Sequence, residues 1–354
     1  MVDSLLLVIH HFQPVDGLLF LFLVLVFWRA RVKRHGEIWA DPFSKDQGLA
    51  LRGIFACAVM FDHLAGYCCP HAAIFSRTIY WGDLSVAVFF GLSGYGLMKQ
   101  LQKNASYLKG FWGHRLRLLL PSYAVMTLLV LAQGIRGDFD ILHRLTSKFG
   151  LVIGGWYVLV LLVFYFIFWG GNHVQNQSRE FRLIFVIICA VLWTAISSFF
   201  AEPFFYARNG AFVAGLLVGW GTEASVLFIR TYKKTLCLIG VGIFIFYTNY
   251  TMYILQEPLA KYIACMLFVP VLVLFSTKIQ LGNIVLNGLG QISYEIYLVH
   301  MFVLEELQHW FPWDGNKMVF AVVGLTVLIS IALHWVIGKL ISPFQHKNTT
   351  AAKA

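Results

Sequence analysis

An arginine and a histidine stand eleven residues apart in one apolar stretch of this sequence, LALRGIFACAVMFDHLAGYCC at residues 49–69. Eleven residues make nearly three helical turns, so Arg52 and His63 project from one face of a helix, about 16 Å apart along its axis. Arginine is a permanent cation that binds phosphate, and an imidazole can take a proton near neutral pH. The pair could hold an anionic substrate at one point and perform acid–base or nucleophilic catalysis at the other. Alternatively, Arg52 reaches lipid headgroups and His63 is a satisfied interior histidine.

Further ionisable residues occupy apolar stretches, where charge is costly and each such group is a functional candidate. Asp62 precedes His63 but lies 100° away on a helical wheel, so it can orient the imidazole only where the helix deviates locally. Glu295 and His300 occur with Tyr294 in LGQISYEIYLVH. Because they are five residues apart, at most one of Glu295 and His300 points along the line of His63. Either could orient His63 or bind a substrate.

A basic cluster precedes another apolar stretch, in FWGHRLRLLLPSY. His114, Arg115 and Arg117 could be ordinary positive charge at a membrane boundary, which is the simpler interpretation. Guanidinium groups also pair with phosphate through two parallel hydrogen bonds, so the cluster could receive a phosphate-bearing substrate.

Small and aromatic residues mark two other apolar stretches. WGDLSVAVFFGLSGYGLM contains Ser93 between Gly91 and Gly94, a pattern that allows either close helix packing or a bent helix beside a polar cavity. Trp156 and Tyr157 begin a later stretch, either as interior or interfacial aromatics or as the lining of a substrate path.

The elements that carry these residues are predicted to be membrane-spanning helices. Of 354 residues, 59% are hydrophobic and 12% are charged, which is about half the charged share of a soluble domain. The mean hydropathy is +0.73. A bilayer core needs about 20 apolar residues in helical form. The sequence predicts an all-α, polytopic transmembrane bundle with eleven spans, at residues 12–28, 50–69, 80–98, 116–133, 150–169, 183–200, 204–220, 235–253, 260–277, 288–305 and 317–341.

The positive charges predict the orientation of this bundle. Nineteen lysines and arginines fall on one side of the membrane and seven on the other, with Arg52 inside a span. The excess marks the cytoplasmic side, so the N-terminus is expected outside and the C-terminus in the cytoplasm. This distribution explains the net charge of +10 without a nucleic-acid partner. The six cysteines form no C-x-x-C pair, so neither a disulfide framework nor a metal site is expected.

Five segments, in this order, resemble the acyltransferase family 3 membrane proteins: LRGIFACAVMFDH, DLSVAVFFGLSGYGL, FWGHRLRLLLPSY, WYV and LGQISYEIYLVH. The resemblance covers residues 46–345 and implies a ten-helix acyltransferase domain. Residues 1–45 are then an extra N-terminal transmembrane helix with a basic cytoplasmic connection, and residues 346–354 a short cytoplasmic tail. Arg52 and His63 match the family's pair. The family's arginines before the proline often have two residues between them, and here Arg115 and Arg117 have one, so the assignment of these positions stays open.

The resemblance implies transfer of an acyl group, usually acetyl, from cytoplasmic acyl-CoA to a hydroxyl of an extracytoplasmic glycan, in a bacterial cytoplasmic (inner) membrane. The acceptor could be a lipid-linked glycan such as lipopolysaccharide O-antigen, another surface polysaccharide, a peptidoglycan unit or a small molecule. Membrane lipid is the other expected partner, no nucleic acid or metal is expected, and a homo-oligomer is compatible with the sequence. The expected roles are catalysis by His63, Asp62 and Glu295, acetyl-CoA binding by Arg52, Arg115, Arg117 and His114, and substrate binding by Trp156, Tyr157, Ser93, Tyr294 and His300.

Two other function classes are considered. In a proton-coupled transporter or flippase, Arg52, His63 and Glu295 would relay protons, although the sequence lacks the internal repeat typical of transporters. A catalytically silent scaffold would have no need of the Arg52–His63 pair.

Overall fold

The chain folds almost entirely as helices. A computed structural model describes residues 12–104, 106–146, 152–174, 176–249 and 257–351, and most of these residues are helical. Two-residue strands β1 (Arg31–Val32) and β2 (Ile279–Gln280) pair in antiparallel fashion. The helices are α1 (Pro14–Phe27), α2 (Lys45–Cys68), α3 (Trp81–Lys103), α4 (Phe111–Arg136), α5 (Ile141–Thr146), α6 (Gly155–Asn172), α7 (Arg179–Ser197), α8 (Gly210–Trp220), α9 (Thr222–Thr231), α10 (Lys233–Asn249), α11 (Pro258–Lys278), α12 (Ile284–Gln291), α13 (Ser293–Trp310) and α14 (Gly315–Ala351). The predicted all-α class is confirmed.

The outer surface of the bundle is apolar. Large hydrophobic side chains such as Leu128, Phe166, Leu192 and Leu328 are exposed on helices α4, α6, α7 and α14. Water would not tolerate such a continuous apolar surface, whereas lipid does. Six helices within the described residues are long and apolar enough to cross a membrane, namely α2, α4, α6, α7, α11 and the part of α14 from Gly315 to Leu340. The chain is therefore a multi-pass membrane protein.

The number of spans stays a prediction. Each of the eleven predicted segments overlaps a helix, but α3 and α13 are not among the six, and α1 is shorter than a full span. The segment Pro203–Trp220 and helix α9 pass the same length and composition test only as a pair, bent by 108°. The predicted span 288–305 is interrupted at Ile292, between α12 and α13.

The predicted domain limits fall partly outside the described residues. Residues 1–11 and 352–354 are not described, and neither are residues 150–151 and 250–253 of two predicted spans. Helix α14 continues to Ala351, so most of the segment expected as a tail is helical.

Helix α2 lies at the centre of the bundle, where it packs against α3, α12 and α13. The approach to α12 is very close. A Cβ atom at Gly53 would stand 2.7 Å from the carbonyl oxygen of Leu286 and 2.9 Å from the nitrogen of Gly290, so only glycine fits. This contact is next to Arg52 in the chain and fixes which way the α2 face carrying Arg52 and His63 is turned.

Helix α3 is continuous from Trp81 to Lys103. Cβ atoms at Gly91 and Gly94 would collide with α11 and α8, and the backbone of Gly91 is itself in close contact with Gly215 of α8. These small residues therefore allow close helix packing, which is one of the two interpretations that the sequence suggested. The helix is not broken, and Ser93 lies beside a polar cavity, which the other interpretation included.

Candidate active site

Arg52 and His63 each line a cavity, Arg52 as an exposed side chain and His63 as a half-buried one. The Arg52 cavity has a volume of about 240 Å³ and the His63 cavity about 200 Å³. Tyr297 of α13 lines both. Its ring packs 5.2 Å from that of Tyr157 and 6.4 Å from that of Phe89, between centroids. The predicted stripe on α2 thus runs past two adjoining cavities that share Tyr297 in their walls.

His63 is paired with His300 of α13. Nδ1 of His63 lies 2.8 Å from Nε2 of His300, and the two ring planes are 11° apart. Nδ1 of His300 lies 3.0 Å from the carbonyl oxygen of Ile296, which can only accept, so this nitrogen carries the hydrogen. In the neutral pair, Nε2 of His300 is then an acceptor and Nδ1 of His63 donates to it. Nε2 of His63 is left with a lone pair, as a base or nucleophile needs.

Asp62 is turned toward the start of α3. Its Oδ1 accepts a hydrogen bond from the backbone N–H of Tyr80, and its Oδ2 is 2.5 Å from where a Cβ of Gly82 would stand. Oδ2 is also 3.9 Å from Nε2 of His63, which is beyond hydrogen-bond distance. His300, rather than Asp62, therefore orients the imidazole in this structure.

Glu295 belongs to the Arg52 cavity. Its Oε1 accepts a hydrogen bond from Oγ of Ser122 at 3.1 Å and lies 3.3 Å from Nδ1 of His334. The expected catalytic set is therefore divided, because Asp62 and His63 line one cavity and Glu295 the other. As the helical wheel required, only one of Glu295 and His300 reaches His63.

Of the predicted basic cluster, only Arg115 joins Arg52. Its guanidinium lies 5.0 Å from the ring centroid of Tyr165 and donates to Oη of Tyr107. Arg117 instead donates from Nε to the carbonyl oxygen of Gly113 at 2.7 Å. His114 is exposed, and neither His114 nor Arg117 lines either cavity.

The residues expected to bind substrate are divided in the same way. Ser93, Tyr157 and Tyr294 line the Arg52 cavity, and Trp156 and His300 line the His63 cavity. Tyr294 is held by a 3.0 Å hydrogen bond from its Oη to the carbonyl oxygen of Leu119.

The sequence that carries these residues matches a known protein family. Residues 50–335 match the family model of the acyltransferase 3 family, described as "Acyltransferase domain". The chain belongs to this family. The match includes all the site residues discussed above, and the resemblance predicted from the five segments is confirmed.

Curated relatives of this acyltransferase 3 chain include proteins of Staphylococcus aureus strains COL, MSSA476 and MRSA252, each named "Putative O-acetyltransferase". Each is 22% identical over 267 residues, which is 71% of this chain and 40% of the relative. The chain thus corresponds to about two fifths of the length of these relatives. No solved structure matches the chain.

The acyltransferase domain also contains a buried ionic cluster that the sequence did not reveal. Asp83, in the first turn of α3, pairs with Arg208 before α8, and Nζ of Lys261 on α11 is 3.2 Å from its Oδ2. Asp83 and Arg208 line the His63 cavity, where the guanidinium is 5.3 Å from the ring centroid of Trp156. Arg208 and Lys261 are two of the seven cations that the sequence places on the outer side, and the scarcity of cations there is the signal that could have pointed to them.

Proposed function

We propose that this chain is a membrane O-acyltransferase that moves an acyl group, most simply acetyl, from acyl-CoA to a hydroxyl of an extracytoplasmic glycan. One observation carries the proposal: a cation and an oriented imidazole on one face of α2 line two adjoining cavities. An anionic donor and a hydroxyl acceptor could therefore approach the imidazole from opposite ends of the bundle.

The Arg52 cavity suits the donor. Within the described residues, Arg52 has no hydrogen bond or ion pair, so its donors are available to a phosphate. Nε of Arg115 is buried and likewise lacks a hydrogen-bond partner among those residues. Phosphate groups near these guanidiniums would send the pantetheine arm along α2 toward His63, because an extended arm is of the same order as the Arg52–His63 offset of about 16 Å.

The His63 cavity suits a carbohydrate. The ring of Trp156 packs 5.4 Å from that of Phe204, between centroids, which offers an apolar surface to the face of a sugar. Asp62, Asp83 and Arg208 add acceptors and donors for hydroxyl groups. This combination supports a glycan acceptor such as lipopolysaccharide O-antigen or another surface polysaccharide.

His63 has two routes to acyl transfer. As a general base, Nε2 takes the proton of the acceptor hydroxyl, the oxygen attacks the thioester carbonyl, and the CoA thiolate leaves and is protonated by the imidazolium. As a nucleophile, Nε2 itself attacks the thioester carbonyl and the CoA thiolate leaves, which gives a cationic acyl-imidazole; the acceptor oxygen then takes the acyl group, and its proton neutralises the thiolate. In both routes the hydrogen bond from Nδ1 to His300 keeps Nε2 directed into the cavity.

The proposal assigns the Arg52 end of α2 to the cytoplasm and the His63 end to the outer side of a bacterial cytoplasmic membrane. The excess of Lys and Arg predicted at the Arg52 end supports this orientation. Acyl-CoA is made in the cytoplasm, so this orientation also places the donor at its source.

The test uses purified protein in lipid nanodiscs with labelled acetyl-CoA and a lipid-linked glycan. CoA release that depends on the acceptor, together with label in the glycan, supports the proposal, and His63→Ala is expected to abolish both without loss of folded protein. Near wild-type transfer by His63→Ala refutes the role of His63. If wild-type protein moves protons or glycan across vesicles but releases no CoA, the transporter alternative is correct. A labelled protein trapped before acceptor is added identifies the acyl-histidine route.

A further inference from the structure

A third cavity adjoins the Arg52 cavity. This mouth cavity, lined by the first turn of α2 and the end of α3, has a volume of about 710 Å³ and shares Arg52 with the Arg52 cavity. The volume lies within the roughly 300–1,000 Å³ of small-molecule sites. We infer that the mouth cavity binds the phosphorylated nucleotide end of the CoA donor, an inference that rests on the proposed function and names residues outside its expected set.

The mouth cavity is strongly cationic. Besides Arg52 it is lined by Lys45, Lys99 and Lys103, against one carboxylate, Asp41. Asp41 already accepts hydrogen bonds from Oη of Tyr95, at 2.5 Å, and from a backbone N–H. Within the described part of the chain, Lys45 and Lys103 have neither a hydrogen bond nor an ion pair. Unneutralised ammonium groups around a cavity attract a ligand with several phosphates.

The backbone adds to this charge. The first turn of α2 lines the cavity through Ser44, Lys45 and Gly48, and no side chain caps it, because Oγ of Ser44 donates to Oε1 of Gln280 at 3.1 Å. The N-terminus of a long helix favours anions through its unpaired N–H groups and its dipole. Asp46 in the same turn is exposed and does not line the cavity.

The length of the donor places its nucleotide in this cavity. The thioester and the phosphates stand at opposite ends of the pantetheine arm, and that arm matches the distance from His63 to Arg52. When the thioester reaches His63, the diphosphate therefore lies at Arg52 and the phosphorylated nucleoside lies beyond it. Lys45 is seven residues before Arg52 on α2, about 10 Å further from His63. Neither His114 nor Arg117 lines the mouth cavity or the Arg52 cavity.

The test compares two donors that carry the same thioester, acetyl-CoA and S-acetylpantetheine, of which only the first has the nucleotide. In Lys45→Gln/Lys103→Gln, the KM for acetyl-CoA is expected to rise about tenfold, as loss of about 1.4 kcal/mol of binding would produce. The kcat/KM for S-acetylpantetheine is expected to stay at the wild-type value. The matched control Lys109→Gln/Lys234→Gln removes two exposed lysines from the predicted cytoplasmic side that line none of the three cavities.

Titration of CoA into each purified protein gives an independent measure. Weaker CoA binding in Lys45→Gln/Lys103→Gln, with wild-type binding in the control, supports the site. Equal loss of CoA binding in both double variants would mean that the lysines act only through a general surface potential. Unchanged CoA binding in both would mean that the nucleotide binds elsewhere. Either result refutes the inference. If the wild-type protein transfers acetyl from neither thioester, the proposed function fails, and the CoA titration still decides whether these lysines bind the nucleotide.

Discussion

The hydrogen bond between the two histidines gives the sharpest prediction about catalysis. Replacing His300 by Asn removes the acceptor for Nδ1–H of His63, because the Asn amide reaches only to the position of the former Nδ1. Replacing it by Gln retains an acceptor, because the Gln amide reaches the position of Nε2, which lies 2.8 Å from His63. The two variants differ by one methylene, so each is the control for the other.

The magnitude follows from the role of the hydrogen bond in the reaction. His300 is 3% exposed, whereas 34% of the His63 side chain is exposed, so the acceptor lies on the buried side of the imidazole. The hydrogen bond acts on the rate because it strengthens as His63 becomes an imidazolium, and a hydrogen bond to a charged group contributes about 1.5–3 kcal/mol. Since 1.36 kcal/mol is tenfold in rate, kcat is expected to fall by roughly 10- to 150-fold in His300→Asn. In His300→Gln, kcat should stay within about fivefold of wild type, which corresponds to roughly 1 kcal/mol.

Initial rates of CoA release at saturating acceptor measure both constants. The KM for acetyl-CoA should be unchanged in both variants, because His300 does not line the Arg52 cavity. Thermal unfolding in detergent identifies a variant that has simply lost its fold. Equal kcat values for folded Asn and Gln variants would contradict the role of His300 in orienting His63.

Three further predictions concern the path along α2. Arg52→Ala should raise the KM for acyl-CoA by roughly 10- to 150-fold, because it removes a charged hydrogen bond of about 1.5–3 kcal/mol. A defect seen only in the KM for the acceptor would contradict the role of Arg52 in donor binding. Tyr297→Ala should join the two cavities and increase acceptor-independent hydrolysis of acetyl-CoA. Tyr297→Phe keeps the ring and should keep the wild-type rate of hydrolysis. An Ala variant that hydrolyses acetyl-CoA no faster would show that the Tyr297 ring does not limit the connection between the cavities. Gly154 has φ +90°, and a Cβ there would be 2.9 Å from Cε1 of Tyr297, so Gly154→Ala should cost at least about 1–2 kcal/mol and lower the unfolding temperature. Gly170→Ala, where a Cβ meets nothing within 4 Å, should not lower it.

Much of the fold followed from local properties of the sequence. Hydrophobicity over about 20 residues predicted the positions of the long helices, because the bilayer requires each span to satisfy its own backbone hydrogen bonds. Breaks within apolar stretches were less predictable. The 108° bend before α9 follows Gly221 and precedes Glu223, and the interruption at Ile292 lies between Gln291 and Ser293. Small and polar residues accompany both breaks, but similar residues also occur inside continuous helices such as α3, so composition alone does not predict a break.

The candidate site was predictable where a single helix decided it. That Arg52 and His63 share a face follows from the periodicity of α2 alone. That Glu295 and His300 point in different directions follows likewise from the periodicity of α13 alone. Whether Glu295 or His300 meets His63 depends on how α13 is rotated against α2. The same holds for Arg115 and Arg117, of which only Arg115 reaches the Arg52 cavity.

By itself, therefore, the sequence determined that this is a membrane helix bundle of the acyltransferase 3 family with a cation and an imidazole aligned on one helix. Only the tertiary structure decided that His300 orients that imidazole, that Tyr297 lines both cavities, and that Asp83 meets Arg208 and Lys261. The physical reason is that helical periodicity is set by hydrogen bonds four residues apart, whereas the rotation of one helix against another is set by packing. Contacts such as that of Gly53 with the backbone of α12 join residues more than two hundred positions apart.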